Sequence, residues 1–453
     1  MVVQLITLIT ILLIALFAGT PVMGAIGVTA SIGMILFMGG AFWDQFGKIA
    51  YTSTMNNGFL ISPLFLLMSE FLANGGVAEE IFAMFHKLLI KIKGGLAMAT
   101  TLTCTIFAAL CGSSPATAAS VGVIATRSMT RRKYRKDFAI GTVAGAGTLG
   151  IMIPPSMTLV GFGILTGTSI AKLLMAGLIP GLMLSAMMIV SILIRSRVNP
   201  ALVGELKESQ LTSPKFDPDA YAVDIRAQAD SEESGKSLWT LLRPVIPSLV
   251  LIVVVLGTMY TGITTPTEAA AIGAIGAFLI VLFQRKMNKG VFLTTMRGVA
   301  RSSTMIIFMM VAGYSLTLVL SYLGIPSALA KSIASSGLNK YVVLTLVYIL
   351  WFILGALMDP GSMVVLTVPF LWTTLTDGLG FDPVWIGVVA TLMTEVGMIS
   401  PPVGLNLFVL KATSGVEFKY ILKGVWPYIL VLLLGLVILT AFPGIALFLP
   451  NHM

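Results

Sequence analysis

The sequence predicts an all-α membrane protein that crosses the lipid bilayer many times. Of its 453 residues, 57% are hydrophobic and only 10% are charged, and the mean hydropathy is +0.98. A water-soluble globular protein could hardly stay in solution with this composition. The apolar runs are near or above the ~20 residues that a spanning helix needs, and they lie at 2–18, 22–41, 58–73, 95–126, 138–166, 172–194, 241–260, 266–284, 302–322, 340–373, 383–411 and 425–449.

The basic residues predict how these runs are oriented. The runs at 95–126, 340–373 and 383–411 are too long for one straight span and must be tilted, broken or folded back. If the first two return to their own side, one side of the membrane holds 4 of the 28 Lys and Arg residues and the other side holds the remaining 24. Because cytoplasmic loops collect Lys and Arg, we expect both termini outside and the loop 127–136 in the cytoplasm.

The net charge of +9 does not indicate a nucleic-acid partner, because the basic residues form short clusters between apolar runs. The two cysteines, Cys104 and Cys111, are too few for a disulfide framework and lack the paired spacing of a zinc site. We therefore expect neither redox chemistry nor a metal–thiolate centre.

The segment 195–243 is a polar connector that divides the chain almost in half. It carries eight of the nineteen acidic residues, namely Glu205, Glu208, Asp217, Asp219, Asp224, Asp230, Glu232 and Glu233. Such a segment is either a tolerated linker insertion or a docking or regulatory element, and the sequence leaves both open.

The two halves share one pattern. The first contains ALCGSSPATAASVG (109–122) and then GAGTLGIMIPPS (145–156), and the second contains LGALMDPGSMVV (354–365) and then EVGMISPPVGLN (395–406). In each half a Gly/Ser/Pro-rich tip precedes a Gly-x-x-x-Pro-Pro element that interrupts an apolar run. The predicted sides make the two units inverted repeats, each with a re-entrant helical hairpin and a broken transmembrane helix, which is typical of transporters.

Gly-x-x-x-Pro-Pro has a specific physical effect inside an apolar run. Each proline lacks an amide donor and crowds the carbonyl four residues earlier, so the helix unwinds. Broken backbone at this depth must be buried in protein or line a wet cavity. Half-helix N-termini attract anions and C-terminal carbonyls attract cations, so paired breaks suit an anionic substrate with a hard cation such as Na⁺. The alternative is that the prolines only kink helices for packing.

Three motifs closely resemble the large membrane (M) subunit of tripartite ATP-independent periplasmic (TRAP) transporters. They are GAGTLGIMIPPSMTLVGFGILTGTSIAKLLMAGLIPGLM (145–183), GTMYTGITTPTEAAAIGA (257–274) and GMISPPVGLNLFVLKATSG (397–415). The resemblance implies a bacterial inner-membrane elevator transporter of the ion-transporter superfamily, with a mobile transport domain and a scaffold. Residues 1–94 would be scaffold helices and a first basic arm, 95–194 the first repeat, 195–243 the connector, 244–339 scaffold helices and a second arm, 340–411 the second repeat, and 412–453 a C-terminal helix.

The resemblance also implies two Na⁺ sites near the tips and breaks. The expected cation-site residues are Gly112, Ser113, Ser114, Thr117, Gly147, Thr148, Gly150 and Pro154 in the first half, and Asp359, Gly361, Ser362, Glu395, Gly397, Ser400 and Pro401 in the second. The expected substrate contacts are Ser114, Pro155, Ser156, Pro402 and Asn406. At Cys111 the family usually has serine, and a soft thiol is a poor ligand for a hard cation, so only the backbone carbonyl at this position suits Na⁺.

The function implied is Na⁺-coupled uptake of an organic acid, with Na⁺ as the co-transported ion. The implied partners are a small membrane subunit of four helices and a periplasmic substrate-binding protein. The alternative within the superfamily is a stand-alone Na⁺/carboxylate symporter.

Other classes of function fit the residues less well. A serine hydrolase at Ser113 lacks a base, since the only histidines are His86 and His452. Inverted broken-helix repeats argue against a channel. Acids inside apolar runs are expensive, so Asp359 and Glu395 are candidates for shaping a cation site, whereas Glu70 and Glu268 suit structural and capping roles.

Overall fold

The computed structural model describes residues 2–39, 42–55, 58–204 and 237–453, and the regular elements in these ranges are helical. The part of the chain before the connector forms α1 (Val2–Phe17), α2 (Val22–Met38), α3 (Phe42–Thr54), α4 (Gly58–Asn74), α5 (Val77–Leu89), α6 (Gly95–Cys111), α7 (Ser114–Arg131), α8 (Lys136–Thr148), α9 (Met157–Thr166) and α10 (Ile170–Val198). The core of the predicted connector, 205–236, lies outside the described residues.

The second part of the chain repeats this helical character. It forms α11 (Leu238–Tyr260), α12 (Pro266–Phe283), α13 (Lys289–Tyr322), α14 (Ile325–Ser335), α15 (Lys340–Leu357), α16 (Pro360–Thr373), α17 (Pro383–Met398), α18 (Leu405–Ser414), α19 (Phe418–Ala441) and α20 (Gly444–Leu447).

Several helices can cross a membrane. Within the described ranges, α10, α11, α12, α13, α15 and α19 are each long and apolar enough, and α4 with α5, which meet at a bend of 60°, would add a seventh span. Large apolar side chains also face outward, such as Val253, which is 69% exposed, and Phe283, which is 79% exposed. Apolar residues on an outer surface are expected where lipid is the solvent. The chain is a multi-pass membrane protein.

The helices are interrupted where the Gly/Pro patterns predict. α6 and α7 pack against each other and form the first hairpin, with its tip at 112–113, and α15 and α16 form the second hairpin, with its tip at 358–359. α8 continues as a 3₁₀ turn to Ile151, and the chain is then irregular until α9, which gives the first break. The second break separates α17 from α18 over 399–404.

The second basic arm is not a separate segment. Residues 289–301 form the beginning of α13, which continues without interruption to Tyr322. The physical reason is packing on α4: Thr295 and Val299 are buried, and Asn74 Nδ2 donates to Thr295 Oγ1 at 3.1 Å. The short helices α3 and α14 have no counterpart among the predicted apolar runs.

The two hairpins exchange partners across the molecule. The second arm of the first hairpin, α7, packs against α18, which follows the second break. The second arm of the second hairpin, α16, packs against α9, which follows the first break. The helices before the breaks, α8 and α17, are buried along almost their whole length and both contact α19. This packing brings both tips and both breaks into one region.

Candidate functional site

The first hairpin turns at Gly112, directly after α6 ends. Gly112 has a φ of +66°, in the left-handed region that glycine tolerates best. A Cβ atom here would lie 2.3 Å from the Pro155 carbonyl oxygen, so a side chain would also collide with the first break. Ser113 is extended and its side chain makes no capping bond to α7, although its carbonyl oxygen accepts from the Thr117 amide at 3.0 Å.

Hydrogen bonds attach the first tip to the first break. Ser114 Oγ donates to the Gly147 carbonyl oxygen at 3.0 Å. The Met157 amide, just after the two prolines, donates to the Gly112 carbonyl oxygen at 3.3 Å. The contacts are polar and buried, so they hold the tip in one position relative to the break.

Gly150 allows two tip oxygens to approach the break closely. A Cβ atom at Gly150 would lie 2.6 Å from the Ser113 carbonyl oxygen and 2.7 Å from Thr117 Oγ1. Thr117 is fully buried and its Oγ1 has no hydrogen bond of regular geometry to the part of the chain that the structure describes, although the Cys111 thiol lies close by. Uncharged carbonyl and hydroxyl oxygens are hard ligands, so this arrangement fits a hard cation such as Na⁺.

The other residues expected at the first cation site are also buried. Gly147 packs against Ala118, where a Cβ atom would lie 2.8 Å from the alanine Cβ. Thr148 Oγ1 donates to the Gly145 carbonyl oxygen of its own helix at 2.7 Å. Pro154 lies within the break itself. The structure therefore gathers the residues predicted in the first half into one neighbourhood.

The second tip is charged. Asp359 caps α16, where its Oδ2 accepts from the Ser362 amide at 3.0 Å and its Oδ1 accepts from Ser362 Oγ at 2.5 Å. Gly361 lies against Met309 of α13, because a Cβ atom there would be 2.7 Å from the sulfur. The capping bonds fix the carboxylate at the helix N-terminus.

The second break docks on the first arm of the second hairpin. A Cβ atom at Gly397 would lie 2.3 Å from the carbonyl carbon of Gly355, so the two backbones are in direct contact. The Gly404 amide donates to the Ala356 carbonyl oxygen at 3.0 Å. Ser400 Oγ bonds to the Val396 carbonyl oxygen of its own helix at 2.6 Å. Pro401 is half-buried, whereas Pro402 is exposed.

Glu395 does not lie beside Asp359 in the lining of the second tip. Its side chain is 0% exposed and faces the backbone amide of Met152 in the first break. Neither carboxylate oxygen has a hydrogen bond of regular geometry among the described residues. A buried carboxylate in this state needs a cation or a proton. The predicted second set of residues is thus divided between the second tip and the interior behind the first break.

Asn406 connects the two halves of the chain. Its Nδ2 donates to Ser114 Oγ at 2.7 Å, and its Oδ1 is buried without a partner among the described residues. Ser114, Asn406 and Ser156 are each 0% exposed. Their predicted contact with substrate, and that of Pro155 and Pro402, stays a prediction.

A cavity of about 190 Å³ opens at the hairpin tips. The residues that line it from the two tips are Gly112, Ser113, Pro115, Asp359, Pro360 and Gly361. The residues following the breaks are Met157 and Thr158 of α9 and Leu405 of α18. Four helix N-termini, those of α7, α9, α16 and α18, therefore meet at this tip cavity.

Helix N-termini favour negative charge. Each is worth about 0.3–1 kcal/mol to an anion when exposed and up to ~2 kcal/mol when partly buried. Among the described residues no three His, Cys, Asp or Glu side chains form a metal-ligating cluster, and no Lys or Arg lines the tip cavity. Backbone amides at helix N-termini are an established way to bind small anions, and at α16 the Ser362 amide already donates to the Asp359 carboxylate.

Helix α13 supplies one wall of the cavity that the sequence did not reveal. Ser302, Met305, Ile306, Met309 and Met310 line it. The sequence signal is the pair of serines at 302–303, at the start of the apolar part of this helix, because the methionines resemble those spread through the other runs.

The fold is similar to that of a solved structure. A solved structure of the YdaH transporter from Alcanivorax borkumensis matches with a TM-score of 0.53, covering 87% of this chain and 88% of that one at 16% sequence identity. At this identity the likeness concerns the fold alone.

The family follows from the sequence. The family model for the DctM component of the tripartite ATP-independent periplasmic transporter matches residues 9–445, so the chain belongs to this family. The C4-dicarboxylate TRAP transporter large permease protein DctM of Pseudomonas aeruginosa is 34% identical, over 94% of each chain. The isethionate TRAP transporter permease protein DctMQ of Oleidesulfovibrio alaskensis is 30% identical, over 96% of this chain and 64% of its own. These matches confirm the family predicted from the motifs.

Proposed function

We propose that this chain carries out Na⁺-coupled uptake of a small organic anion across the bacterial inner membrane, with no chemical change to the substrate. The observation that carries this proposal is the meeting of four helix N-termini at the tip cavity. Backbone amides there can receive a carboxylate or a similar anion without a buried basic side chain. The two relatives described above are named for C4-dicarboxylate and for isethionate, which are both small organic acids.

The coupling to Na⁺ rests on charge and on the first tip. Asp359 lines the same cavity and would repel an incoming anion unless a cation is bound nearby. At the first tip, the Ser113 carbonyl oxygen and the unpartnered Thr117 hydroxyl supply oxygen ligands beside Gly150. Cation binding would therefore precede anion binding. The bound cation would offset the free-energy cost of moving the anion through the bilayer.

Alternating access would follow from the exchanged packing of the hairpins. Each hairpin contacts the helix that follows the other repeat's break, so α6–α9 and α15–α18 form a unit able to move as one body. We propose that this unit carries substrate past a scaffold in an elevator motion, with both termini in the periplasm. The proposed partners are a small membrane subunit and a periplasmic binding protein that delivers the substrate. The name DctMQ of the isethionate relative, which joins M with a second letter, agrees with a small-subunit partner.

The decisive experiment is uptake of labelled C4-dicarboxylates and isethionate into proteoliposomes containing this chain and its small subunit. Uptake that requires both an inward Na⁺ gradient and the binding protein supports the proposal. Na⁺-driven uptake without the binding protein would indicate a stand-alone symporter instead, and uptake indifferent to Na⁺ would refute the coupling.

A matched pair of variants tests the first cation site. Thr117→Val removes the unpartnered hydroxyl, and Thr103→Val removes a buried hydroxyl that only bonds to Ala99 of its own helix. Losing one hydroxyl ligand costs about 1–2 kcal/mol, so we expect Thr117→Val to raise the half-saturating Na⁺ concentration roughly five- to thirtyfold. Thr103→Val should leave it unchanged. Equal values for the two variants would remove Thr117 from the site.

A further inference from the structure

A second cleft, of about 500 Å³, lies where α7 and α18 end and where α8 and α19 begin. Its lining includes Arg127, Arg131 and Lys136, together with Thr126 and Thr130. This basic cleft shares no lining residue with the tip cavity. The proposed transport function makes no use of it.

The charges of the basic cleft are not balanced by the described acids. Arg127 and Arg131 are four residues apart on α7, a spacing at which like charges repel. Neither forms an ion pair with a described carboxylate. The one acid in the lining, Glu417, is already paired with Lys419 at 2.6 Å. The hydrogen bond from Lys419, with the charges of Lys419 and Lys136 nearby, holds the pKa of Glu417 below its usual range. Glu417 therefore offsets Lys136 in part, and Arg127 and Arg131 have no counter-charge among the described ion pairs.

A buried hydroxyl also lacks a partner in the basic cleft. Thr126 is 6% exposed, and its Oγ1 is buried without a hydrogen bond among the described residues. Two guanidinium groups, an ammonium group and an unpaired hydroxyl are the donors that phosphate oxygens accept from best. Capping the C-terminal end of α7 explains Arg131 but neither Arg127, one turn earlier, nor Thr126.

The surroundings of the basic cleft are those of a membrane interface. Val123, at its edge, and Phe408, on α18, are 38% and 46% exposed. Lys136 lies over the Tyr420 ring at 5.9 Å and Lys411 over the Phe418 ring at 5.8 Å. Aromatic rings and lysines of this kind collect at headgroup level.

We propose that the basic cleft binds the phosphate of an anionic phospholipid headgroup, with the acyl chains along the apolar residues at its edge. Arg127 and Arg131 would hold the phosphate, and a rotation of the Thr126 side chain would let its buried hydroxyl donate a further hydrogen bond. Because α7 belongs to the first hairpin and α18 follows the second break, a bound headgroup connects parts of both repeats. The lipid would stabilise this unit independently of Na⁺ and substrate.

The test uses the full chain in nanodiscs of phosphatidylcholine with an increasing fraction of phosphatidylglycerol. Bound lipid is counted by native mass spectrometry, and thermal unfolding is followed in parallel. The cleft variant carries Arg127→Gln and Arg131→Gln. The matched control carries Arg297→Gln and Arg301→Gln, which removes two exposed arginines of the same spacing on α13, outside the basic cleft.

We expect the cleft variant to bind phosphatidylglycerol roughly ten- to thirtyfold more weakly, since losing each charge-assisted hydrogen bond from an arginine to the phosphate is worth about a fivefold change. The control should stay within about twofold. Equal losses in both variants would overturn the proposal, because a diffuse charge effect would then suffice. If inorganic phosphate stabilises the wild type in pure phosphatidylcholine, the ligand of the basic cleft is phosphate from solution rather than a lipid headgroup.

If the double variant fails to fold, Thr126→Val replaces it. That change keeps the side-chain shape and every arginine, and we expect a severalfold loss of phosphatidylglycerol binding with unfolding in phosphatidylcholine unchanged. Unaltered lipid binding by Thr126→Val would overturn the assignment of the unpaired hydroxyl to the ligand.

Discussion

The two tip–break units follow the same pattern but are held together by different groups. The residues of the first unit are uncharged: Ser114 bonds to Gly147, and the oxygens of Ser113 and Thr117 approach Gly150. The carboxylate that faces its break, that of Glu395, comes from the second half of the chain. The second unit places a carboxylate, that of Asp359, at its tip and uses backbone alone to dock its break. The first unit can therefore hold a cation with neutral oxygens, whereas the second contributes the charge.

One contact is common to both units. Met157 and Gly404 each lie two residues after a Pro-Pro pair, and the amide of each donates to a carbonyl at the end of a hairpin arm, on Gly112 and Ala356 respectively. The Gly-x-x-x-Pro-Pro element is thus followed, two residues later, by an amide that bonds to the neighbouring hairpin arm instead of within a helix. The residues around this bond determine what else each unit contacts.

The largest effect is expected from substitutions at the glycines where each break packs closely against its own hairpin. Gly397→Ala would place a methyl 2.3 Å from backbone of Gly355, and Gly150→Ala would place one 2.6 Å from the Ser113 carbonyl oxygen. Overpacking of this kind costs about 1–3 kcal/mol or more, so we expect Na⁺-dependent uptake to fall tenfold or further, most strongly for Gly397→Ala. Uptake per inserted protein is measured in proteoliposomes.

Gly257→Ala is the control, because a Cβ atom at this helical glycine meets nothing within 4 Å. Membrane insertion should be equal for the three variants. A greater loss for Gly150→Ala than for Gly397→Ala would reverse the proposed difference between the units, in which the second is docked by backbone contacts alone.

A smaller effect is expected from the charge at the second tip. Asp359→Asn keeps a residue that caps helices well and removes the negative charge. Opposite charges about 4 Å apart attract each other by about 1 kcal/mol in water and by about 4 kcal/mol near a protein surface. The half-saturating Na⁺ concentration should therefore rise at least roughly fivefold. Na⁺-dependent uptake at several Na⁺ concentrations gives this value.

Asp382→Asn provides the matched comparison, since Asp382 caps α17 through the amides of Val384 and Trp385 at 2.8 Å and 3.0 Å, far from the cavity lining. It should leave the Na⁺ dependence unaltered. If both substitutions shift it equally, the second tip contributes capping rather than charge.

Much of the fold could be predicted because it depends on local chemistry. Proline removes an amide wherever it stands, so the breaks after Gly150 and Gly397 follow from the sequence alone. The tips at Gly112 and Asp359 follow likewise, from a glycine with positive φ and a capping aspartate before proline.

The remaining features depend on which helices meet, and no local pattern encodes that. Asn406 bonds to Ser114 across 292 residues, and Glu395 faces the first break although it precedes the second. The wall formed by Ser302 and Met305 was missed for the same reason, because the side of α13 that faces the cavity is set by its packing against α4 and α16.

The smallest effect is expected at Cys111, the residue at which the first tip departs from the family pattern. Its thiol accepts from Ser69 Oγ at 3.5 Å and donates to the Ser113 carbonyl oxygen at 3.8 Å, and the residue is 1% exposed. A hydroxyl can make both bonds, so Cys111→Ser should keep Na⁺-dependent uptake within about twofold. Cys111→Val makes neither bond and leaves Ser69 unpaired, which should cost about 1–3 kcal/mol of stability and lower uptake further than serine does. Equal uptake by the serine and valine variants would mean that the thiol only fills space, and that the first tip is held by its backbone and by Ser114 alone.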